Sequence, residues 1–163
     1  MYKNILLPTD GLGKCVFGVC HGVQIAKTMG AKVTAVCVTG KLSSGDILRL
    51  HDMKELTSLS DVAAAKAAMF GVDGEKEAEA AKSLAVAKKM CDSVGVPCEL
   101  AHVPGEDTVD GILKVAAEKK CDMIFISTHG NPGLLGSLFG NLATKILAKS
   151  KFPVLVHHCG GPS

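Results

Sequence analysis

The chain has 163 residues, 47% of them hydrophobic, and a formal net charge of +2. This length predicts a single domain over residues 1–163 with enough apolar side chain for an ordinary core. The basic residues are nearly all lysines scattered along the chain, which argues against a nucleic-acid surface. We see neither an apolar leader nor a run near the ~20 residues of a membrane helix, so we expect a cytoplasmic protein without a membrane partner.

The first part of the chain alternates between strand and helix patterns. A short apolar strand within 4–10 is followed by glycines and a helical pattern that runs through Met29. Gly30 stands where glycine commonly follows a helix. A β-branched strand is predicted over 31–39, and together these elements predict a βαβ unit with two parallel strands.

A longer helix is predicted after a variable connection, 40–74, whose structure the sequence leaves open. Its apolar stripe recurs at steps of four and three residues and consists of Ala80, Leu84, Ala87, Cys91 and Val94. That spacing is typical of a helix with one face on a sheet, and Gly95 and Pro97 end it. Gly71 and Gly74 are positions where its front half could kink or split.

The remaining sequence continues the alternation. The predicted elements are a strand at 98–103, a turn at Gly105, a helix at 107–119, a strand at 123–127, a helix from Gly140 to Lys149 and a strand at 152–157. Five strands alternating with helices predict an α/β fold, a doubly wound five-stranded parallel sheet of Rossmann-like form with helices on both faces. Ligands of such sheets bind at the carboxyl ends of the strands, where the strand order reverses.

The loop between Ser127 and Asn141 is the strongest candidate for a ligand site. A buried strand, a glycine-rich loop and a helix start would aim unpaired N–H groups at an anion, and the helix dipole favours phosphate there. A structural alternative is that 131–133 (Asn-Pro-Gly) forms a type II turn while Gly136 and Gly140 only allow close packing. The pattern alone leaves both interpretations open.

Three segments resemble the universal stress protein (UspA-like) family: 5–11 (ILLPTDG), 121–130 (CDMIFISTHG) and 150–156 (SKFPVLV). Nucleotide-binding members carry Gly-x-x-Gly, nine residues, then Gly-Ser or Gly-Thr. Here the same spacing runs from Ser127 to Gly130 and, after nine residues, to Gly140 and Asn141. Ser127 adds a Cβ where the family has glycine. Asn141 retains the ability to cap a helix and to donate to phosphate, with more bulk.

The resemblance implies the adenine nucleotide alpha hydrolase-like form of the fold and a bound adenine nucleotide, ATP in the first place. Asp10 would lie near the ribose hydroxyls, and the backbone of Val38 would meet the adenine edge. The floor of the site and the phosphate cradle would be formed by Pro8, Thr9, Ile126, Ser127, Gly130, Gly140, Asn141 and Leu142. From the residues alone, Asp10 is equally a turn acceptor after a strand.

Histidines near the candidate site carry weaker hypotheses. We interpret His129 as a hydrogen-bonding residue that fixes the loop, because no nucleophile or metal ligand is placed beside it. His157, His158 and Cys159 suggest a metal cluster, but adjacent residues of a strand point to opposite faces. No metal site and no catalytic residue are therefore predicted.

The seven cysteines include no Cys-x-x-Cys pair, which argues against a zinc site or a disulfide scaffold. Four of them lie in apolar patterns and are predicted to pack as small hydrophobes: Cys20, Cys37, Cys91 and Cys121. Cys15, near a helix start, is a weaker candidate for a reactive thiol, as is Cys159 in the tail.

The resemblance further implies a homodimer formed through the last strand, between Pro153 and His157, with 158–163 as a polar tail. An exposed apolar edge strand favours such pairing. We expect an ATP-binding stress-response regulator, with slow hydrolysis or autophosphorylation in the presence of Mg²⁺ left open. The alternatives are a protein-interaction module that has lost nucleotide binding and an adenylating enzyme. The latter is disfavoured because 11–14 matches neither a Ser-Gly-Gly-x-Asp-Ser loop nor a P-loop.

Overall fold

The computed structural model describes residues 1–9, 16–40, 59–128 and 136–158, with 59–73, 75 and 136–141 described by their backbone alone. The strands are β1 (Asn4–Pro8), β2 (Lys32–Thr39), β3 (Cys98–Pro104), β4 (Met123–Thr128) and β5 (Val154–His158). The helices are α1 (Val16–Met29), α2 (Leu59–Val94), α3 (Thr108–Glu118) and α4 (Gly136–Lys149). The strands form one parallel sheet in the order β3-β2-β1-β4-β5, as the doubly wound prediction required.

Both faces of the sheet are covered, which explains why its central strands are apolar on both sides. Ile5, Leu6 and Leu7 of β1 are all buried, and they alternate between two core clusters. The first cluster joins the sheet to α1 and α2, and the second joins it to α3 and α4. Side chains that alternate in direction along a strand therefore meet helices whichever way they point.

Several predicted ends of elements are confirmed. Gly30 and Gly95 follow α1 and α2 with φ of 64° and 74°, the left-handed conformation that glycine adopts without a Cβ penalty. Asp107 caps α3, since its carboxylate accepts hydrogen bonds from the backbone N–H groups of Val109 and Asp110.

Three expectations are wrong. Helix α4 begins at Gly136 instead of Gly140. Glycine permits a helical backbone without favouring it, so neither glycine marks the start of the helix in the sequence. Helix α2 runs through Gly71 and Gly74 as one element, so neither glycine splits it. Cys20 is exposed, whereas Cys37, Cys91 and Cys121 are buried as predicted.

The amino-terminal edge of the sheet is held by a polar network around Asn4 and Asp122. The Asp122 carboxylate accepts hydrogen bonds from the backbone N–H groups of Lys3 and Asn4, at 2.7 and 3.0 Å. The Asn4 side chain donates to the Lys119 carbonyl at 2.9 Å and accepts from the Thr34 hydroxyl at 3.0 Å. This end of the β1 and β4 pair is therefore closed by several bonds.

None of the helices in the described part of the chain is long and apolar enough to cross a membrane.

Candidate functional site

The strand order reverses between β1 and β4, and the hydrogen-bonded ladder between them is short. Their pairing covers Ile5 with Met123 and Leu6 with Ile124 and then stops, although β1 continues to Pro8 and β4 to Thr128. The outer ladders continue further, since β2 stays paired with β1 up to Pro8 and β5 stays paired with β4 up to Thr128. We call the region between the unpaired strand ends, residues 7–9 and 125–128, the switch-point crevice.

Pro8 and Thr9 form one wall of the switch-point crevice. Proline has no N–H to donate across the sheet, which suits a position where a ladder ends. Thr9 is buried, and its N–H donates to the Val36 carbonyl at 2.8 Å. Its hydroxyl shares a hydrogen bond of 2.6 Å with the hydroxyl of Ser83 on α2. Thr9 is therefore fixed from both the sheet and the helix above it.

Ser83 is a residue that sequence reasoning missed. It is buried and lies on the face of α2 that carries the predicted apolar stripe. A polar residue among alanines and leucines of such a stripe was the available signal, because a buried hydroxyl needs a partner.

Val38 is the second-last residue of β2, and its side chain packs against α3. A Cβ built on Gly111 would lie 2.9 Å from Cγ1 of Val38 and 3.0 Å from its Cγ2. The glycine thus lets α3 approach the Val38 side chain closely. Beside it, the Thr39 hydroxyl hydrogen-bonds to Nε2 of His102 on β3 at 2.9 Å, a polar pair that the sequence did not indicate.

Ile126 and Ser127 form the opposite wall. Ile126 is buried in the cluster under α3 and α4, together with the half-buried Leu142. Ser127 is half-buried and stands opposite His157 in the ladder between β4 and β5. The fold thus brings the predicted site residues Ile126 and Ser127 of β4 and Leu142 of α4 to the same region.

Helix α4 begins closer to the β4 loop than the sequence predicted. The unpaired N–H groups at its start belong to 136–139, since the first four N–H groups of a helix lack intrahelical partners. Gly140 and Asn141 lie in its second turn and not at its mouth, so Asn141 does not cap it.

Two further predicted residues, Asp10 and Gly130, lie outside the described residues. So do His129, Cys15 and Cys159. Asp10 directly follows the buried Thr9, and Gly130 comes two residues after the end of β4. Both therefore follow strands whose carboxyl ends border the switch-point crevice.

The last strand, β5, lies at one edge of the sheet and carries two histidines on opposite faces. The ring of His157 lies against α1, with its centroid 4.4 Å from that of His21, and it stacks on Phe125 at 5.9 Å. Desolvation in this position lowers the pKa of His157, with smaller contributions from His21 and His158. His158 instead hydrogen-bonds to Thr128 at 3.2 Å.

No cluster of three metal-ligating side chains occurs in the described ranges, which stop short of Cys159.

Comparison with known proteins gives a consistent result. The family model of the universal stress protein family matches residues 1–158. A universal stress protein of Methanocaldococcus jannaschii is 28% identical over 156 residues, which cover 96% of this chain and 82% of that protein.

Solved structures show the same fold. A universal stress protein crystallised in complex with cAMP aligns with a TM-score of 0.65 at 20% identity, covering 98% of each chain. A family protein of Arabidopsis thaliana with AMP bound aligns with a TM-score of 0.62 at 15% identity, covering 99% of this chain and 96% of that one. With a family model that spans nearly its whole length, this chain belongs to the universal stress protein family.

Proposed function

We propose that the protein binds an adenine nucleotide in the switch-point crevice and acts as a regulator of the stress response without strong catalytic turnover. The observation that carries this proposal is the ladder between β1 and β4, which stops after Leu6 and Ile124 while both strands continue. Open α/β sheets bind their ligands at such a point. The family proteins crystallised with cAMP and with AMP support an adenine nucleotide as the ligand class.

In the proposed complex, the base lies against β2 and the phosphates lie toward α4. The backbone of Val38 meets the adenine edge, and Gly111 keeps its side chain out of the way on the α3 face. Asp10 accepts hydrogen bonds from the ribose hydroxyls. Gly130 and the unpaired N–H groups of 136–139 at the start of α4 receive the phosphates, in keeping with the positive end of the helix dipole. Gly140, in the second turn, gives room beside them without donating an N–H. ATP, with or without Mg²⁺, is the leading candidate.

Equilibrium binding of a fluorescent ATP analogue tests the nucleotide claim, with unlabelled ATP, AMP and GTP as competitors. We expect saturable binding that ATP and AMP displace better than GTP. Asp10→Asn should weaken binding, whereas Asp92→Asn, which removes the same charge from the exposed end of α2, should leave it unchanged. Absence of a saturable signal up to millimolar analogue would overturn the proposal.

A second candidate is a protein-interaction module that has lost the nucleotide. It is favoured by Ser127 and Asn141, the two departures from the family's glycine-rich pattern. The variant that carries both Ser127→Gly and Asn141→Ser separates the two functions. Equal binding by wild type and variant supports the nucleotide-binding reading, and binding by the variant alone supports the interaction module.

The proposal includes a cytoplasmic homodimer paired along β5. Support comes from the position of β5, which pairs with β4 on one side at the edge of the described sheet, and from Val156, which is 43% exposed. Val156→Asp should yield a monomer in light scattering. Leu100→Asp is a matched control, since Leu100 is also 43% exposed but lies on the other edge strand. Equal masses for both variants would contradict pairing through β5.

A further inference from the structure

Cys91 and Cys98 pack into the same core cluster at the end of the sheet opposite the switch-point crevice. Cys91 lies in the last turn of α2 and is completely buried, and Cys98 is the first residue of β3 and is half-buried against the same core cluster. Both side chains pack in the same core cluster, and each thiol is the largest influence on the pKa of the other. Nothing in the proposed nucleotide site uses either residue.

The turn between the two cysteines is fixed at both ends. The N–H of Val96 donates to the Cys91 carbonyl at 2.9 Å, and Gly95 takes the left-handed conformation that reverses the chain. On the strand side, the Val33 N–H donates to the Pro97 carbonyl at 2.8 Å. Since the end of the helix and the start of the strand are both held by backbone bonds, the two cysteines stay at fixed positions on either side of a short turn.

The surroundings give the two thiols different reactivity. Contact with Cys91, the Lys88 ammonium and a backbone hydrogen bond from Ala35 lower the pKa of Cys98, which favours its thiolate. Contact with Cys98 and burial raise the pKa of Cys91, which keeps it protonated. A partly exposed thiolate beside a buried thiol is the arrangement of a reactive cysteine with a resolving partner.

We propose that Cys91 and Cys98 form a redox-sensitive dithiol that a hydroperoxide oxidises to an intramolecular disulfide. The Cys98 thiolate attacks one peroxide oxygen, the O–O bond breaks, and the leaving oxygen takes a proton, which leaves Cys98 as a sulfenic acid. The Cys91 sulfur then attacks the Cys98 sulfur, and the S–O bond breaks. The departing hydroxide takes the Cys91 proton and leaves as water. The pair loses two electrons. Cys91 gives up one proton, solvent supplies the proton that the leaving peroxide oxygen takes, and hydrogen peroxide becomes two waters.

The sequence makes the product easy to detect. Cys91 and Cys98 lie in one tryptic peptide, residues 90–114, because no lysine or arginine stands between Lys89 and Lys114. Full-length protein is treated with hydrogen peroxide, denatured in N-ethylmaleimide and digested. We expect a 90–114 peptide that carries no maleimide and is lighter by two hydrogen atoms than the reduced peptide. Its yield should rise with the peroxide concentration. A reductant should convert it to a form that can be alkylated at both cysteines.

Single variants test the assignment of roles. Cys98→Ser should abolish the disulfide and leave Cys91 unoxidised, since burial protects it. Cys91→Ser should let Cys98 accumulate as a sulfenic acid that dimedone traps. Cys20→Ser, which removes an exposed thiol on α1, should leave the yield of the disulfide unchanged. Circular dichroism of each variant, and Cys91→Ala as a second replacement, identify any loss of signal that comes from misfolding.

Two results would overturn the proposal. One is a 90–114 peptide with both thiols still alkylated at a peroxide dose that oxidises Cys20. The other is dimedone labelling at Cys91 instead of Cys98. Neither readout depends on a nucleotide, so failure here is distinct from failure of the proposed function.

Discussion

The hydroxyls of Thr9 and Ser83 share a buried hydrogen bond of 2.6 Å that joins the end of β1 to the middle of α2. The two residues are 74 positions apart, and the bond crosses from the switch-point crevice to the longest helix. Thr9 is thereby held at the crevice by a bond from α2. The position of this wall should therefore depend on Ser83.

Ser83→Ala is expected to destabilise the protein by about 1–3 kcal/mol, because it leaves the Thr9 hydroxyl buried without this partner. Replacing both residues, with Thr9→Val and Ser83→Ala, should cost less than the sum of the single changes. Urea denaturation measures each free energy of unfolding. Ser93→Ala is the control, since that exposed serine bonds only locally to the Met90 carbonyl. Equal effects of Ser83→Ala and Ser93→Ala would contradict the argument.

Gly111→Ala should disturb the proposed adenine position. The added methyl would sit 2.9 Å from Cγ1 of Val38, so either α3 or β2 has to move, at a cost of about 1–3 kcal/mol in stability. We expect weaker nucleotide binding. If 1.4 kcal/mol of this free-energy cost appears as lost binding free energy, the dissociation constant rises about tenfold. Calorimetric titration with ATP measures the binding constant.

Val38→Ala provides the internal test of that mechanism, because it removes the methyl groups that the new side chain meets. In the Gly111→Ala background it should restore part of the lost stability and binding, a non-additive result. Purely additive losses would show that the two side chains do not compete for the same space.

Gly22→Ala and Gly74→Ala should have opposite effects although both replace a helical glycine. At Gly22 a Cβ would overlap Cδ1 of the buried Leu7 and lie 3.0 Å from Phe125, so we expect a loss of about 1–3 kcal/mol. At Gly74 no atom lies within 4 Å, so the better helix propensity of alanine should add about 0.5–1 kcal/mol. Thermal and urea unfolding measure the change in stability of each variant. Changes of the same sign in the two variants would contradict the packing described for Gly22 and Gly74.

Lowering the pH should destabilise the contact between α1 and β5. The pKa of His157 lies below its ordinary value of 6.5, so the folded protein favours the neutral ring. Below about 6.5 the unfolded chain binds the proton more readily, and stability falls until the pH passes the folded-state pKa. His157→Gln should flatten this dependence. His21→Gln should flatten it less, because desolvation, the larger cause, remains. An unchanged slope in His157→Gln would rule out this histidine as the source.

Local signals were enough to predict most of the fold. Gly30, Gly95 and Asp107 stand at helix ends for reasons confined to a few residues, namely a left-handed backbone and a capping carboxylate. The strands predicted a sheet covered on both faces because their residues are apolar whichever side of the strand they point to. The start of α4 was missed because glycine at 136 and at 140 gives no local preference for either boundary.

The tertiary partners could not be predicted because they depend on residues far apart in sequence. Ser83 meets Thr9, and Gly111 meets Val38, only after the sheet has formed. The exposure of Cys20 has a similar cause. The face of α1 that turns to the core carries two glycines together with valines and an alanine, and Cys20 lies off that face.

The bonds of Asn4 and Asp122 at one end of the β1 and β4 pair have a consequence for binding at the other end. They hold the two strands in register, and the ladder between the strands ends at Leu6 and Ile124 in the fold as it stands. A guest entering there has no ladder hydrogen bonds to break between these strands. In the proposed complex, less of the contact energy is then spent on rearranging the sheet, and association requires no prior separation of β1 from β4.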